Sequence, residues 1–166
     1  FYKWSKRAGE DFIEEYKKKY NLEFTILRFG TVYGPRASKE NNINKIIDVA
    51  LKKKKIIYKG NKKNIREYIN VKDAAKIALK TIHKKYANKH VKITGNKKTS
   101  VIKALEIIKK ELGFNSKIIY QNKNEVGHYI NSPENLIIKK AKKINLRHNT
   151  PFNIGIREII QNKIKW

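Results

Sequence analysis

Hydrophobic positions along the chain switch repeatedly between a helical and an extended period. From residue 2 to 20, Trp4, Ala8, Phe12, Ile13, Tyr16 and Tyr20 recur at helical spacing, and Asn21 supplies a stop. Residues 22–29 (LEFTILRF) form a near-continuous apolar run with β-branched members, which predicts a buried parallel strand. Residues 30–38 (GTVYGPRAS) read as a loop punctuated by Gly34-Pro35. Helical spacing returns over 44–54, followed by short extended segments at 56–58 and 67–71. Asp73 is placed as the N-cap of a helix carrying Ala74, Ala75, Ile77, Ala78 and Ile82. A strand at 90–94 closes at Gly95-Asn96. Thr99 or Ser100 then caps a helix that Gly113 stops. A strand at 117–120 and two short helices, around 134–143 and 152–164, complete the pattern. Strands alternating with helices predict an α/β fold with some parallel pairing.

Composition narrows the picture. A chain of 166 residues, 40% hydrophobic, can bury one ordinary core and is too apolar for a disordered polyelectrolyte. No apolar run approaches the roughly 18 residues of a membrane span, and no signal-peptide pattern opens the chain. The absence of Cys excludes disulfides and thiolate metal sites, so a cytoplasmic location is the default expectation.

Charge raises a second possibility. Forty Lys+Arg against 14 Asp+Glu give a formal charge of +26, enough to attract phosphate backbones. Yet 34 of the cations are Lys and 6 are Arg, and Lys, Ile and Asn make up 78 of the 166 residues. That trio is what AT-rich codons encode. Dedicated nucleic-acid sites lean on Arg for bidentate contacts. A solvated lysine surface is therefore the expected reading. A basic α/β module binding nucleic acid or another polyanion is the alternative.

The sharpest chemical feature is Tyr2-Lys3-Trp4-Ser5-Lys6. On a helix, residues four apart share a face, so Lys6 sits beside the Tyr2 phenol. A free phenol titrates near ~10 and exchanges protons poorly at neutral pH; an adjacent ammonium favours the phenolate that a tyrosine acid/base needs. Spacing alone does not select this pair, because Tyr58/Lys62 and Tyr68/Lys72 share it. The four histidines, 83, 90, 128 and 148, show no metal-ligand spacing and read as surface residues, and no metal is expected.

Wider context singles out the first pair. Tyr2, Ser5, Lys6 and Glu10 are followed by Leu27-Arg28-Phe29 and Val32-Tyr33-Gly34-Pro35-Arg36. This series resembles the Tyr-x-x-Ser-Lys-x-x-x-Glu helix, apolar strand and Val-Tyr-Gly-Pro-Arg stretch of extended short-chain dehydrogenases/reductases, the NAD-dependent epimerase/dehydratase family acting on nucleotide sugars. A second block, with Gly60, Arg66, Glu67, Tyr68, Val71, Asp73 and Ala75, is similar to the family's later Gly-x-Gly-x-x-x-Arg-Asp-Phe-x-x-Val-x-Asp-x-Ala segment.

The resemblance implies the C-terminal part of a Rossmann-type NAD(P)-binding fold plus a small α/β substrate-binding subdomain. Residues 1–36 would hold the catalytic helix and last Rossmann strand, and 37–166 the subdomain. It implies Tyr2 as general acid/base, with Lys6 tuning it and holding the nicotinamide ribose of NAD or NADP. The backbone of Phe29, Gly30 and Thr31 would approach the nicotinamide. Arg66 would clamp the diphosphate of a nucleotide-sugar substrate, although it could equally pair with Asp73. Asn42 and Thr31 would contact diphosphate or sugar. Trp4, Phe12 and Tyr16 would be core or dimer contacts, with a homodimer forming through the first helix.

Three departures qualify these roles. The family's sugar-contacting Asn is Thr31 here, the second Gly of the Gly-x-Gly turn is Lys62, and the late Arg-x-Gly-Asp element reads Glu125-Val126-Gly127-His128-Tyr129. The eight glycines never form G-x-G-x-x-G or G-x-x-G-x-x-G, the turn that places a pyrophosphate on a helix N-terminus. The expectation is a C-terminal portion without its N-terminal Rossmann half, inactive by itself. Without the parent sheet, the 22–29 strand is expected to lack neighbours, giving marginal stability or self-association.

Overall fold

Residues 1–113, 115, 117–121 and 141–164 are described by the computed structural model. Helix α1 (Tyr2–Tyr20) ends where Asn21 turns left-handed at φ 52°, a conformation that asparagine tolerates better than bulky residues. Strand β1 (Thr25–Phe29) starts three residues later than the apolar run suggested. The segment read as a loop contains a short strand, β2 (Thr31–Tyr33). Helix α2 (Asn42–Lys53) begins early because Asn41 caps it. The Asn41 Oδ1 accepts from the amides of Ile43 and Asn44 at 3.1 and 3.3 Å, while its Nδ2 donates to the Val32 carbonyl at 3.0 Å.

Strands β3 (Lys55–Lys59) and β4 (Ile65–Asn70) follow, then helix α3 (Val71–Lys80). Asp73 is not the cap of α3. Asn70 turns the chain, and its side chain accepts the Lys72 amide. Asp73 is buried in the first helical turn and accepts the Thr150 amide at 2.7 Å, tying α3 to a segment 77 residues away. A 3-10 turn (Lys84–Tyr86) leads to β5 (Lys89–Ile93) and to β6 (Lys98–Ser100), a strand that the hydrophobic pattern does not signal. Ser100 caps α4 (Val101–Leu112), and Gly113 at φ 71° ends it. Strands β7 (Lys117–Gln121) and β8 (Lys142–Lys143) and helix α5 (Phe152–Ile164) complete the described chain. The helix expected around 134–143 lies largely outside the described residues, and its last two positions form β8 instead. The Glu125–Tyr129 stretch also lies outside them.

Pairing is mostly parallel. One sheet has the order β1-β5-β8, with Ile26 opposite His90 and Arg28 opposite Lys92. Among the described residues β1 has β5 on one side and is otherwise an edge, so the expectation of no neighbour holds on one side only. A second sheet, β2-β4-β6, sets Thr31 opposite Tyr68 and adds β6 antiparallel. A third pairs β3 with β7. Isoleucine fills the core, consistent with its preference for strand and tight helix packing. Ile46, Ile47, Ile56, Leu105, Ile108, Ile156 and Ile159 join α2, β3, α4 and α5, while Ile69, Ile77, Val91, Ile93 and Ile144 bury β4, α3, β5 and the segment after β8. No described helix is long and apolar enough to cross a membrane.

Candidate functional site

Tyr2 and Lys6 occupy adjacent turns of α1, and the Lys6 Nζ lies 5.3 Å from the centre of the Tyr2 ring. Both side chains are exposed. The competing pairs do not share this geometry. Tyr58 and Tyr68 lie on β3 and β4, where a four-residue spacing builds no helical face. Lys62 sits instead over the Tyr120 ring at 5.5 Å. Tyr68 packs on Phe152, ring centres 4.9 Å apart, and burial pushes its phenol up to about 12. That suits packing, not proton exchange at neutral pH.

The direction of α1 decides what Tyr2 and Lys6 face. Glu10 bonds Arg28, whereas Glu14, one turn later, bonds His90, the register partner of Ile26. Helix and strand therefore run antiparallel, and the first turn of α1 lies toward the carboxyl end of β1. Lys6 precedes Glu10 by about 6 Å of helix, and Gly30 follows Arg28 by about 7 Å of strand. The two are level. Carboxyl ends of parallel strands are where open α/β sheets bind ligands.

At that end Phe29 is half-exposed and the Gly30 amide donates to the Ile93 carbonyl at 2.9 Å. A Cβ at Gly30 would fall 2.8 Å from both the Glu67 carbonyl oxygen and the Thr94 Cγ2, so only glycine allows this approach. Glu67 lies just behind, buried, its carboxylate held by Lys92 at 2.8 Å and Lys143 at 2.9 Å. Burial pushes its acid constant up, but these two ammonium groups outweigh burial and hold it below the ordinary carboxylate range.

The remaining candidates gather around β2. Thr31 opens β2 and is half-buried. Arg66, two residues before the Thr31 partner Tyr68, is half-buried, and its Nη1 donates to the Ile65 carbonyl at 3.0 Å. Asn42 is the exposed first residue of α2, brought to β2 by the Asn41–Val32 bond. Thr31, Asn42 and Arg66 lie on β2, α2 and β4, elements joined by the β2–β4 pairing and the Asn41–Val32 bond.

Of core or dimer contact, the structure removes the first for the aromatic stripe of α1, and the reading of His90 changes. Trp4, Phe12, Tyr16 and Tyr20 are exposed, at 68%, 68%, 56% and 53%, so they are not core of this chain. The side of α1 that meets the sheet is its polar one. His90 is buried at 9%, not a surface residue, because β5 is an interior strand. One signal for it was available: Glu10 and Glu14, spaced as a helical pair opposite the aromatic stripe.

Parallel strands with a helix-borne Tyr–Lys pair near their carboxyl edge place the chain among Rossmann-type α/β proteins. The chain belongs to the NAD dependent epimerase/dehydratase family, whose model matches residues 1–94. It is 33% identical over 162 residues to a putative UDP-glucose 4-epimerase of Methanocaldococcus jannaschii, covering 96% of this chain and 52% of the relative. Among solved structures it is similar to the dTDP-glucose 4,6-dehydratase of Bacillus anthracis in complex with NAD. That likeness has a TM-score of 0.77 and 25% identity, over 97% of this chain and 51% of the other. The UDP-glucose 4-epimerase of Thermotoga maritima with UDP-glucose shares the fold, with a TM-score of 0.78 and 18% identity over 96% and 52%. The chain spans about half the length of the relatives it matches.

Proposed function

We propose that this chain is the C-terminal portion of a cytoplasmic NAD-dependent enzyme, an epimerase (isomerase) or dehydratase (lyase) acting on a nucleotide sugar. In this reading residues 1–36 carry the catalytic helix and last Rossmann strand, and 37–166 the substrate-binding subdomain. The observation that carries it is the Tyr2–Lys6 pair on one helical face, level with Gly30, inside the segment the family model matches.

The donor set suits the nicotinamide–ribose end of a dinucleotide: a phenol and an ammonium one turn apart, level with the carboxyl end of β1. A Gly-rich pyrophosphate turn is not among these 166 residues. When bound, the dinucleotide supplies reversible hydride acceptance. Tyr2 takes the proton of a sugar hydroxyl at its phenolic oxygen and returns it. Lys6 stabilises the phenolate and donates to the ribose. Arg66, a planar and permanently charged fork, grips the diphosphate, and Asn42 and Thr31 orient diphosphate and sugar.

The exposed aromatic arc of α1 supports a homodimer through this helix. Contiguous exposed apolar surface of this kind commonly marks an interface.

The test uses the whole enzyme containing this chain, assayed on UDP- and dTDP-hexoses. Tyr2→Phe is expected to lower kcat by about 10²–10⁴-fold with NAD binding retained. Unchanged turnover would refute the assignment.

A further inference from the structure

Neither apolar cluster draws a residue from α1. Among the described side chains of this helix, the partly covered ones are Arg7, Glu10, Glu14 and Lys17, a polar stripe at helical spacing. A helix seated on its polar side lacks the interlocking apolar ridges that usually set its rotation. Within this chain, hydrogen bonds set it instead.

Four side chains supply them. Arg28 closes a fork on Glu10, Nε to Oε1 at 2.8 Å and Nη2 to Oε2 at 2.5 Å. The Arg28 Nη2 also lies 3.0 Å from the His90 Nδ1, and the His90 Nε2 lies 2.9 Å from the Glu14 Oε1. A guanidinium can only donate. Nδ1 therefore accepts, the ring proton sits on Nε2, and from there it is donated to Glu14. The bonds run outward from Arg28, to Glu10 on one side and through His90 to Glu14 on the other. The side chains are only 18% (Glu10), 22% (Arg28), 8% (His90) and 17% (Glu14) exposed, and bonds shielded from water hold more firmly than exposed ones.

Placement gives this chain of bonds its consequence. Glu10 and Glu14 lie on consecutive turns of α1, and Arg28 and His90 on neighbouring strands. Two grips one turn apart restrain both rotation and sliding of the helix. Arg28 is also the residue before Phe29, so the group that holds the helix adjoins the backbone of the candidate site.

We propose that Glu10, Glu14, Arg28 and His90 form a positioning clasp that sets the rotation of the Tyr2–Lys6 helix against the Phe29–Thr31 backbone, with His90 as the relay between Arg28 and Glu14. The proposal rests on the acid/base reading of Tyr2 given above. It is tested in the whole enzyme by comparing His90→Phe, His90→Gln and Tyr2→Phe for turnover and for amide hydrogen exchange along α1. Glutamine can accept from Arg28 and donate to Glu14, whereas phenylalanine keeps ring volume alone. His90→Phe is expected to speed exchange in α1 about tenfold. It is also expected to lower kcat about 10–100-fold while KM stays nearly constant. His90→Gln recovers both.

Wild-type exchange and kcat in His90→Phe overturn the clasp. So does a loss that His90→Gln does not mend, which marks simple packing. An active Tyr2→Phe enzyme overturns the acid/base reading instead, and the exchange data still decide the clasp. Should His90→Phe fail to fold, Glu14→Gln and Glu14→Ala probe the relay from the helix side. Glutamine keeps the acceptor, so faster exchange in the alanine variant alone supports the clasp, and equal exchange in both overturns it.

Discussion

The Lys6 ammonium stands 5.3 Å from the centre of the Tyr2 ring, one turn along the same helix. Position and charge make separable demands here. In the whole enzyme, Lys6→Met is expected to lower kcat by about 10²-fold or more, because the phenol loses the cation beside it. Lys6→Arg keeps the charge and is expected to retain more of the turnover. Wild-type kcat in Lys6→Met would sink the pairing.

Gly95 meets the backbone, not a movable side chain. A Cβ there would fall 1.9 Å from the Tyr68 carbonyl oxygen. Gly95→Ala must push β4 away and is expected to cost about 3 kcal/mol or more. Gly9, on α1, has nothing within 4 Å of an added Cβ, so Gly9→Ala is expected to stabilise this chain by about 0.5–1 kcal/mol through helix propensity. Denaturant midpoints of the two variants should move in opposite directions.

Glu67 links stability to acid. Its folded acid constant lies below the ordinary value of 4.5 because Lys92 and Lys143 outweigh burial. The unfolded chain therefore takes up this proton first as pH falls. The contribution is present above the unfolded value and is lost as pH drops through the depressed folded value. The stability difference between wild type and Glu67→Gln should be large near about pH 7 and shrink below about pH 4. A pH-independent difference in urea titrations would contradict this.

Trp4 and Phe12 are each 68% exposed on the outward arc of α1. If this arc joins two copies, Trp4→Glu with Phe12→Glu should convert dimer to monomer in sedimentation of the whole enzyme, with its secondary structure retained. A dimer that survives both changes would remove α1 from the interface.

Much of the fold was legible locally. The helical period over 2–20, Asn21 as its stop, a cap at Thr99 or Ser100 (the structure selects Ser100) and Gly113 as a terminator rest on interactions within a turn or two, which sequence spacing encodes. The neighbouring relation of Tyr2 and Lys6 is of the same kind, since four residues on a helix always make a face. What spacing could not decide came from distant partners. β2 and β6 are three residues each and exist because β4 pairs with both, at register positions set by the sheet. Asp73 has the composition of a cap, yet the chain turns at Asn70 and Asp73 serves Thr150 instead. His90 reads as one of four scattered imidazoles, and its role appears only when β5 lies beside β1 and α1 crosses both. The aromatic stripe of α1 had the period of a buried face. Only the docking of the opposite, charged side turned it outward, because periodicity reports that a helix has two faces and not which of them the rest of the molecule will cover.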